Sequence, residues 1–160
     1  MKLSTVFRLK ENLNLDKKTL VNLRYIAIIG QFITINAVYY GLGLEFPVFI
    51  TYLVIFFGVT TNLYLQFIIK LNQLKDFYAG IFLVFDLIQL SVLLYLTGGI
   101  SNPFSILLII PSIVSSTFLS MGTTIILGVL TLFFLLLLTI FHYPLPGIHE
   151  NAFTFPKYYL

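Results

Sequence analysis

The sequence predicts an all-α membrane protein, a bundle of helices that crosses the bilayer several times. Residues of the apolar set (Ala, Val, Ile, Leu, Met, Phe, Trp, Tyr, Cys) make up 59% of the 160 residues, and charged residues only 9%. Soluble domains are about 45–50% apolar and about 25% charged, so a soluble domain of this size has too little interior for this apolar surface. The apolar residues also fall in long runs, which is typical of membrane spans.

Five apolar stretches set the predicted spans, which cover about 25–44, 47–69, 77–97, 104–119 and 122–142. Four of them reach the length that a helix rising about 1.5 Å per residue needs to cross a hydrocarbon core of about 30 Å. The stretch 104–119 is marginal, and only the sequence SMG separates it from the next stretch. These two stretches are therefore predicted to form a tight helical hairpin, and residues 25–142 the transmembrane domain.

Basic residues set the predicted orientation. Six of the nine Lys and Arg precede the first apolar stretch, and Lys70 and Lys75 lie between the second and the third. Because basic residues concentrate in cytoplasmic loops, the N-terminus and residues 1–24 are predicted to be cytoplasmic. The loops near residue 45, at 98–103 and after residue 142 then face outward.

The predicted number of spans is odd. Five crossings from a cytoplasmic N-terminus leave residues 143–160 outside, in a segment rich in Pro and Tyr that is typical of an interfacial loop. Such a loop is not a natural end of a fold. We therefore expect a chain that is cut before a sixth helix.

Few groups in the chain suit catalysis or metal binding. There is no Cys, and the two His, His142 and His149, are too few for a His-built metal site. Asp86 lies in the third predicted span without the second group that acid–base or triad chemistry requires. We expect no catalytic residue, no metal site and no nucleic-acid partner.

Several polar residues lie inside the apolar stretches. Asp86 and Gln89 share one face of the third stretch, and an ionisable group at this depth is costly and commonly faces the bundle interior. Asp86 is either a polar contact between helices or a functional intramembrane group, and both interpretations stay open. Hydrogen bonding between helices is the simpler interpretation for the other amides, which are Gln31, Asn36, Asn62 and Gln66.

The strongest local signal is the sequence TGGISNPF at residues 97–104. A glycine pair is typical of a helix end, Asn102 of an N-cap and Pro103 of the first helical position. A tight turn between two spans is therefore sufficient to account for these residues. The same turn also suits a ligand, because the first N–H groups of a helix lack partners and Phe104 offers an aromatic face. A flat, lipid-soluble molecule with carbonyl oxygens, such as a quinone, fits this description.

Two segments carry a family resemblance. Residues 98–104, GGISNPF, resemble the GGxxNPF heptapeptide of the RegB/PrrB/ActS-type redox-sensing histidine kinases, which lies in an outward loop between the third and fourth transmembrane helices. Residues 23–31, LRYIAIIGQ, resemble the Leu-Arg-aromatic-x-Ala-x-x-Gly-Gln segment at the start of that family's first helix. The resemblance extends over most of residues 20–145 and includes Pro111 within the fourth span.

The resemblance implies the membrane sensor domain of a two-component sensor histidine kinase in the bacterial inner membrane. Such a domain would sense the redox state of the quinone pool, through ubiquinone or a related quinone, and control phosphotransfer to a response regulator. A homodimer surrounded by membrane lipids is the expected assembly, and ATP would serve only a kinase region that this chain does not contain. The family's sixth span and its redox-active Cys are also missing here. The quinone-site residues that the motif carries over are Gly98, Gly99, Asn102, Pro103 and Phe104.

A second function class is compatible with the same composition. A small membrane transport or substrate-binding module has a similar size and number of spans. Its polar site would lie at the membrane midplane, lined by Asp86, Gln89, Asn62 and Gln66. The location of the ligand separates the two hypotheses, since a sensor of this type binds near residues 98–104. An intramembrane enzyme is the weakest hypothesis, because no second catalytic group accompanies Asp86.

Overall fold

The computed structural model describes residues 15–41 and 46–143. Helix α1 spans Lys17–Asn36 and continues as a π-helical turn over Ala37–Gly41. Helix α2 spans Val48–Leu63 and continues in the same way over Tyr64–Ile68. The predicted loop near residue 45 lies outside the described residues, as do residues 1–14 and the predicted outward segment beyond Tyr143.

The second half of the chain adds three more helices. Helix α3 spans Asp76–Leu96, and two 3₁₀ turns follow it, at Gly99–Ser101 and Pro103–Ile109. The second of these turns leads directly into helix α4, Ile110–Phe118. Helix α5 spans Met121–Ile140, so only two residues separate it from α4, as a tight hairpin requires.

Within residues 15–41 and 46–143, four helical segments are long and apolar enough to cross a membrane. They are Lys17–Gly41, Val48–Ile68, Asp76–Leu96 and Met121–Ile140, and Pro103–Phe118 is a shorter apolar helix. The prediction of an all-α polytopic bundle is thereby confirmed, with the fourth stretch the shortest, as the sequence indicates. The chain is a multi-pass membrane protein.

Helix α3 occupies the centre of the bundle. It packs against α2, α4 and α5, while α1 packs mainly along α2. Leucines dominate the core, and Leu83 and Leu87 of α3 share one buried cluster with Leu127 and Leu138 of α5. The opposite side of α5 is exposed and almost entirely apolar, as a helix that faces lipid requires, and the exposed Thr139 donates to the Leu135 carbonyl of its own helix.

The first helix begins at Lys17, whereas the sequence predicts a start near residue 25. The basic residues that mark 1–24 as a cytoplasmic segment cause the difference. Arg24 lies within α1 and is only 3% exposed. Lys17 donates from Nζ to the carbonyls of Gln66 and Ile69, at 3.0 and 2.7 Å, and thereby caps the end of the second span. Hydropathy alone does not show that these charges have partners.

Arg24 forms an ion pair with Asp86, between α1 and α3. The Arg24 Nε donates to the two carboxylate oxygens at 2.9 and 3.1 Å, and Nη2 lies 2.9 Å from Oδ1. Nη2 also donates to the Thr61 hydroxyl of α2 at 2.8 Å, so one side chain joins three helices. The guanidinium lies over the rings of Phe82 and Phe85, 5.2 and 5.8 Å from their centres. Asp86 thus makes the polar contact between helices that is one of the two interpretations left open by the sequence, with Arg24 as the partner that sequence reasoning does not identify.

The amides inside the spans bind between helices, as the sequence suggests. Each joins two helices and so satisfies polar groups in the apolar interior, although the Asn62 Oδ1 stays buried without a partner among the described residues. The bonds run from Gln89 to Gln31 (3.0 Å), from Tyr25 to Gln66 (2.6 Å), from Tyr52 to Asn36 (2.9 Å) and from Asn62 to the Val21 carbonyl (3.2 Å).

One end of the bundle, here called the basic end, carries Lys17, Lys18, Lys70 and Lys75. There the two-residue strands β1, Leu15–Asp16, and β2, Gln73–Leu74, pair antiparallel. Asp76 also holds the α4–α5 turn, because its carboxylate accepts from the Ser120 N–H at 2.5 Å and from the hydroxyls of Ser120 and Thr123. The described residues at the opposite end, here called the turn end, include no Lys or Arg.

The Thr61 hydroxyl allows a test of the three-helix contact. Thr61→Val leaves one Arg24 donor without a partner, and we expect it to lower the free energy of unfolding by about 1–3 kcal/mol. Thr60→Val is the matched control, because both hydroxyls donate to their own helix and only Thr61 accepts from Arg24. Unfolding in mixed micelles measures both, and equal losses would contradict this role of Thr61.

Candidate ligand site

The glycine pair ends α3 at the turn end. Gly98 and Gly99 have φ values of 104° and 61°, in the left-handed region that favours glycine. A Cβ at Gly99 would also collide with the side chain of His142 and would lie 2.8 Å from the Leu138 carbonyl oxygen. Backbone conformation and close packing against the end of α5 therefore both require glycine at position 99.

Asn102 closes the turn and caps the segment that begins at Pro103, as the sequence predicts. Its Oδ1 accepts from the Phe104 N–H at 2.9 Å, and its Nδ2 donates to the Thr97 carbonyl and hydroxyl at 3.1 and 2.8 Å. The Asn102 carbonyl accepts from the Ser105 N–H at 2.9 Å. The prediction of free N–H groups at the start of this segment is therefore wrong for Phe104 and Ser105.

A cavity of about 390 Å³ runs from this turn towards the ion pair, between α1, α3 and the segment from Pro103 to α4. Thr97, Asn102 and Phe104 line it at the turn end, and Arg24 and Asp86 line it deeper in the bundle. Thr97 lies eleven positions after Asp86, which corresponds to about 16 Å of helix. A long apolar cavity with few polar groups is the usual form of a site for a small apolar ligand.

The predicted site residues divide into two groups. Asn102 and Phe104 line the cavity, and Phe104 is 37% exposed. Gly98 and Gly99 are buried in the turn, and Pro103 is exposed at the start of its segment; none of these three lines the cavity. The glycines and the proline therefore shape the wall, while Asn102 and Phe104 form part of its surface.

Helix α1 contributes cavity residues that sequence reasoning misses. Gln31 and Thr34 line the cavity, although the sequence indicates only an interhelical contact for Gln31 and nothing for Thr34. Their spacing of three residues on one helix face is the signal that was available. Gln89 does not line the cavity but donates to Gln31, and Asp86 lines it with its side chain 25% exposed.

The four residues of the transport hypothesis do not meet at one site. Asn62 and Gln66 bond across the α1–α2 contact, and Gln89 bonds across to α1. Of the four, only Asp86 lines the long cavity. No cluster of three or more His, Cys, Asp or Glu side chains occurs in residues 15–41 and 46–143 that would hold a metal ion.

The fold and the cavity define a multi-pass membrane domain with a long apolar cavity inside the bundle. Residues 12–157 match the PilS-like transmembrane domain family. The chain is also 35% identical over 141 residues to the sensor histidine kinase RegB of Cereibacter sphaeroides. That alignment covers 88% of this chain and 30% of RegB. No solved structure matches the chain significantly. The chain belongs to the PilS-like transmembrane domain family, as a RegB-type transmembrane sensor domain.

Gly99→Ala tests the close packing of the turn. We expect this change to lower the free energy of unfolding by about 1–2 kcal/mol or more, because a left-handed backbone penalty of that size adds to the collision with His142. Gly128→Ala in α5 is the control, since a Cβ there meets no atom within 4 Å; it should leave stability unchanged or raise it by up to about 1 kcal/mol. Thermal unfolding followed by circular dichroism compares them, and similar midpoints would refute the packing argument.

Proposed function

We propose that this chain is the sensor domain of a two-component sensor histidine kinase and that it senses the redox state of the quinone pool. One observation carries the proposal: the GGISNPF turn contributes Asn102 and Phe104 to the wall of a long apolar cavity inside the bundle. The relative that is named a sensor histidine kinase supports the kinase part of the proposal. Kinase activity, ATP and the response regulator belong to a full-length protein of which this chain is the membrane domain.

The cavity suits the chemistry of ubiquinone or a related quinone. Such a molecule joins a flat ring with carbonyl oxygens to a long apolar tail. A volume of about 390 Å³ lies within the range of about 300–1,000 Å³ that is usual for small-molecule sites. The Phe104 ring offers a stacking surface, and the exposed lining residues Ile26 and Ile110, 68% and 48% exposed, leave a path for the tail towards lipid.

Redox sensing requires that the two forms of the ligand favour different conformations. A quinone only accepts hydrogen bonds, whereas the reduced quinol also donates them. The cavity lies between α1 and α4, so its occupant sets the spacing of these helices. A ligand form that prefers one spacing shifts the population of the bundle, and a homodimer would carry that shift to the kinase region.

The transport alternative has no specific support in the structure, because its four polar residues are dispersed among helix contacts.

Loss of the Phe104 ring should weaken quinone binding. We expect Phe104→Ala to raise the Kd of a short-chain ubiquinone in nanodiscs about tenfold, as the loss of one aromatic contact predicts. Phe57→Ala is the control, since Phe57 is exposed on α2 and does not line the cavity. Titration calorimetry measures both variants. An unchanged Kd for Phe104→Ala would remove Phe104 from the site.

The proposed orientation places the basic end in the cytoplasm, in accord with the positions of its lysines. The chain has no Cys, so single cysteines can be introduced without a background. We expect Ser101→Cys to react with a membrane-impermeant maleimide in intact spheroplasts, and Lys18→Cys only after permeabilisation. Both positions are exposed, so they form a matched pair. The reverse labelling pattern would overturn the orientation.

The sensing step itself is tested on the full-length kinase that contains this domain, reconstituted in liposomes. Its autophosphorylation rate is measured with the ubiquinone pool held oxidised or reduced. A rate that differs between the two conditions, and differs less in the Phe104→Ala variant, is the expected result. Equal rates for the wild-type protein would exclude redox sensing by this domain.

A further inference from the structure

The middle of the cavity holds polar groups with unused hydrogen-bonding capacity. Gln31 and Thr34 lie one turn apart on α1, both are half-buried, and both line the cavity. The Gln31 Oε1 accepts from Gln89 at 3.0 Å, which leaves the Gln31 Nε2 without a partner among the described residues. Within the same described part of the chain, the Thr34 hydroxyl has no hydrogen bond either.

Other polar groups of the cavity are bonded or buried out of reach. The Asn102 amide is bonded through both its oxygen and its nitrogen to the turn. Arg24 donates from Nε and Nη2 to Asp86 and Thr61, and its Nη1, which has no partner among the described residues, is fully buried. Donors without a partner are costly in the apolar core of a membrane, where water is scarce. The two free donors of α1 are therefore the groups of this cavity best placed to bind an acceptor oxygen.

Three helices set the direction in which Gln31 donates. Gln89 of α3 occupies the Gln31 oxygen, so the Gln31 nitrogen is the atom that remains for a ligand. Gly58 of α2 makes room for Gln89, because a Cβ at this glycine would collide with the Gln89 amide. Gln89 is thus a positioning residue, and the donor is oriented before any ligand arrives.

We propose that Gln31 and Thr34 form the subsite that binds a carbonyl oxygen of the quinone, while the GGISNPF turn supplies the wall against which the ring packs. This inference rests on the proposed function. Thr97 lies eight positions after Gln89, which corresponds to about 12 Å of helix, and Thr34 lies about 5 Å nearer to the turn than Gln31. A carbonyl within reach of Thr34 therefore leaves the ring on the Phe104 side of the cavity.

The test compares Thr34→Val and Gln31→Leu with the wild-type chain in nanodiscs. Each variant removes one donor, and we expect each to raise the Kd of a short-chain ubiquinone about three- to tenfold. Thr60→Val is the control for the loss of a hydroxyl, since Thr60 is exposed and bonds only to its own helix. Thr34→Val keeps the size of the side chain and the Gln31–Gln89 bond, so it tests the subsite even where Gln31→Leu disturbs the fold.

A second ligand separates hydrogen bonding from packing. An alkylbenzene with the same tail carries no carbonyl oxygen, so its affinity should be the same in the wild-type chain and in Thr34→Val. A Kd for ubiquinone that neither variant changes, with Phe104→Ala still weakening binding, would overturn the subsite and leave the proposed function intact. Absence of ubiquinone binding by the wild-type chain would instead overturn the proposed function.

Discussion

The Arg24–Asp86 ion pair is the contact on which the rest of the bundle depends. A guanidinium inside a membrane is tolerated only when an acid neutralises it and its donors are bonded. Asp86 of α3 neutralises Arg24, and Nε and Nη2 are bonded to Asp86 and to Thr61 of α2, whereas the buried Nη1 has no partner among the described residues. Because α1 is held to α3 there, the part of α1 nearer to the turn end faces α4 across a space, and that space is the cavity.

The GGISNPF turn and helix α1 contribute different features to the cavity. In the GGISNPF turn, the Asn102 side chain forms its hydrogen bonds locally, with Phe104 on one side and Thr97 on the other. The two glycines of the turn adopt left-handed backbone conformations. Unused hydrogen-bonding capacity lies instead on α1, at Gln31 and Thr34. A motif of seven residues therefore shapes one wall of the cavity, while the groups that we propose to bind a polar ligand come from a distant part of the chain. The two segments that resemble the redox-sensing kinases, at 23–31 and 98–104, thus both contribute residues to the lining of this cavity.

Local features were the predictable part of this structure. Apolar length predicts the spans, and the short break before Met121 predicts the hairpin, since each depends on neighbouring residues alone. Asn102 and Pro103 predict the cap for the same reason. The Arg24–Asp86 pair joins residues 62 positions apart. Arg24 follows a basic segment, so composition alone does not distinguish it from the charged residues of a cytoplasmic loop. The start of α1 and the α1 wall of the cavity both depend on partners from distant parts of the chain, Asp86 for Arg24 and the end of α2 for Lys17, so sequence reasoning misses them together.

The short pairing of β1 with β2 has a mechanical consequence. It ties the start of α1 to the connection between α2 and α3, and Lys17 and Asp76 add further bonds at the same end. A piston-like sliding of α1 along its axis would break the strand pairing and the Lys17 bonds together, whereas a tilt about them would leave both in place. The basic end would be the pivot of such a tilt, and displacements of α1 would grow with distance from it. In such a tilt the largest displacement of α1 would fall at the turn end, beside Phe104. A small ligand bound there would therefore act where a given tilt moves α1 the most.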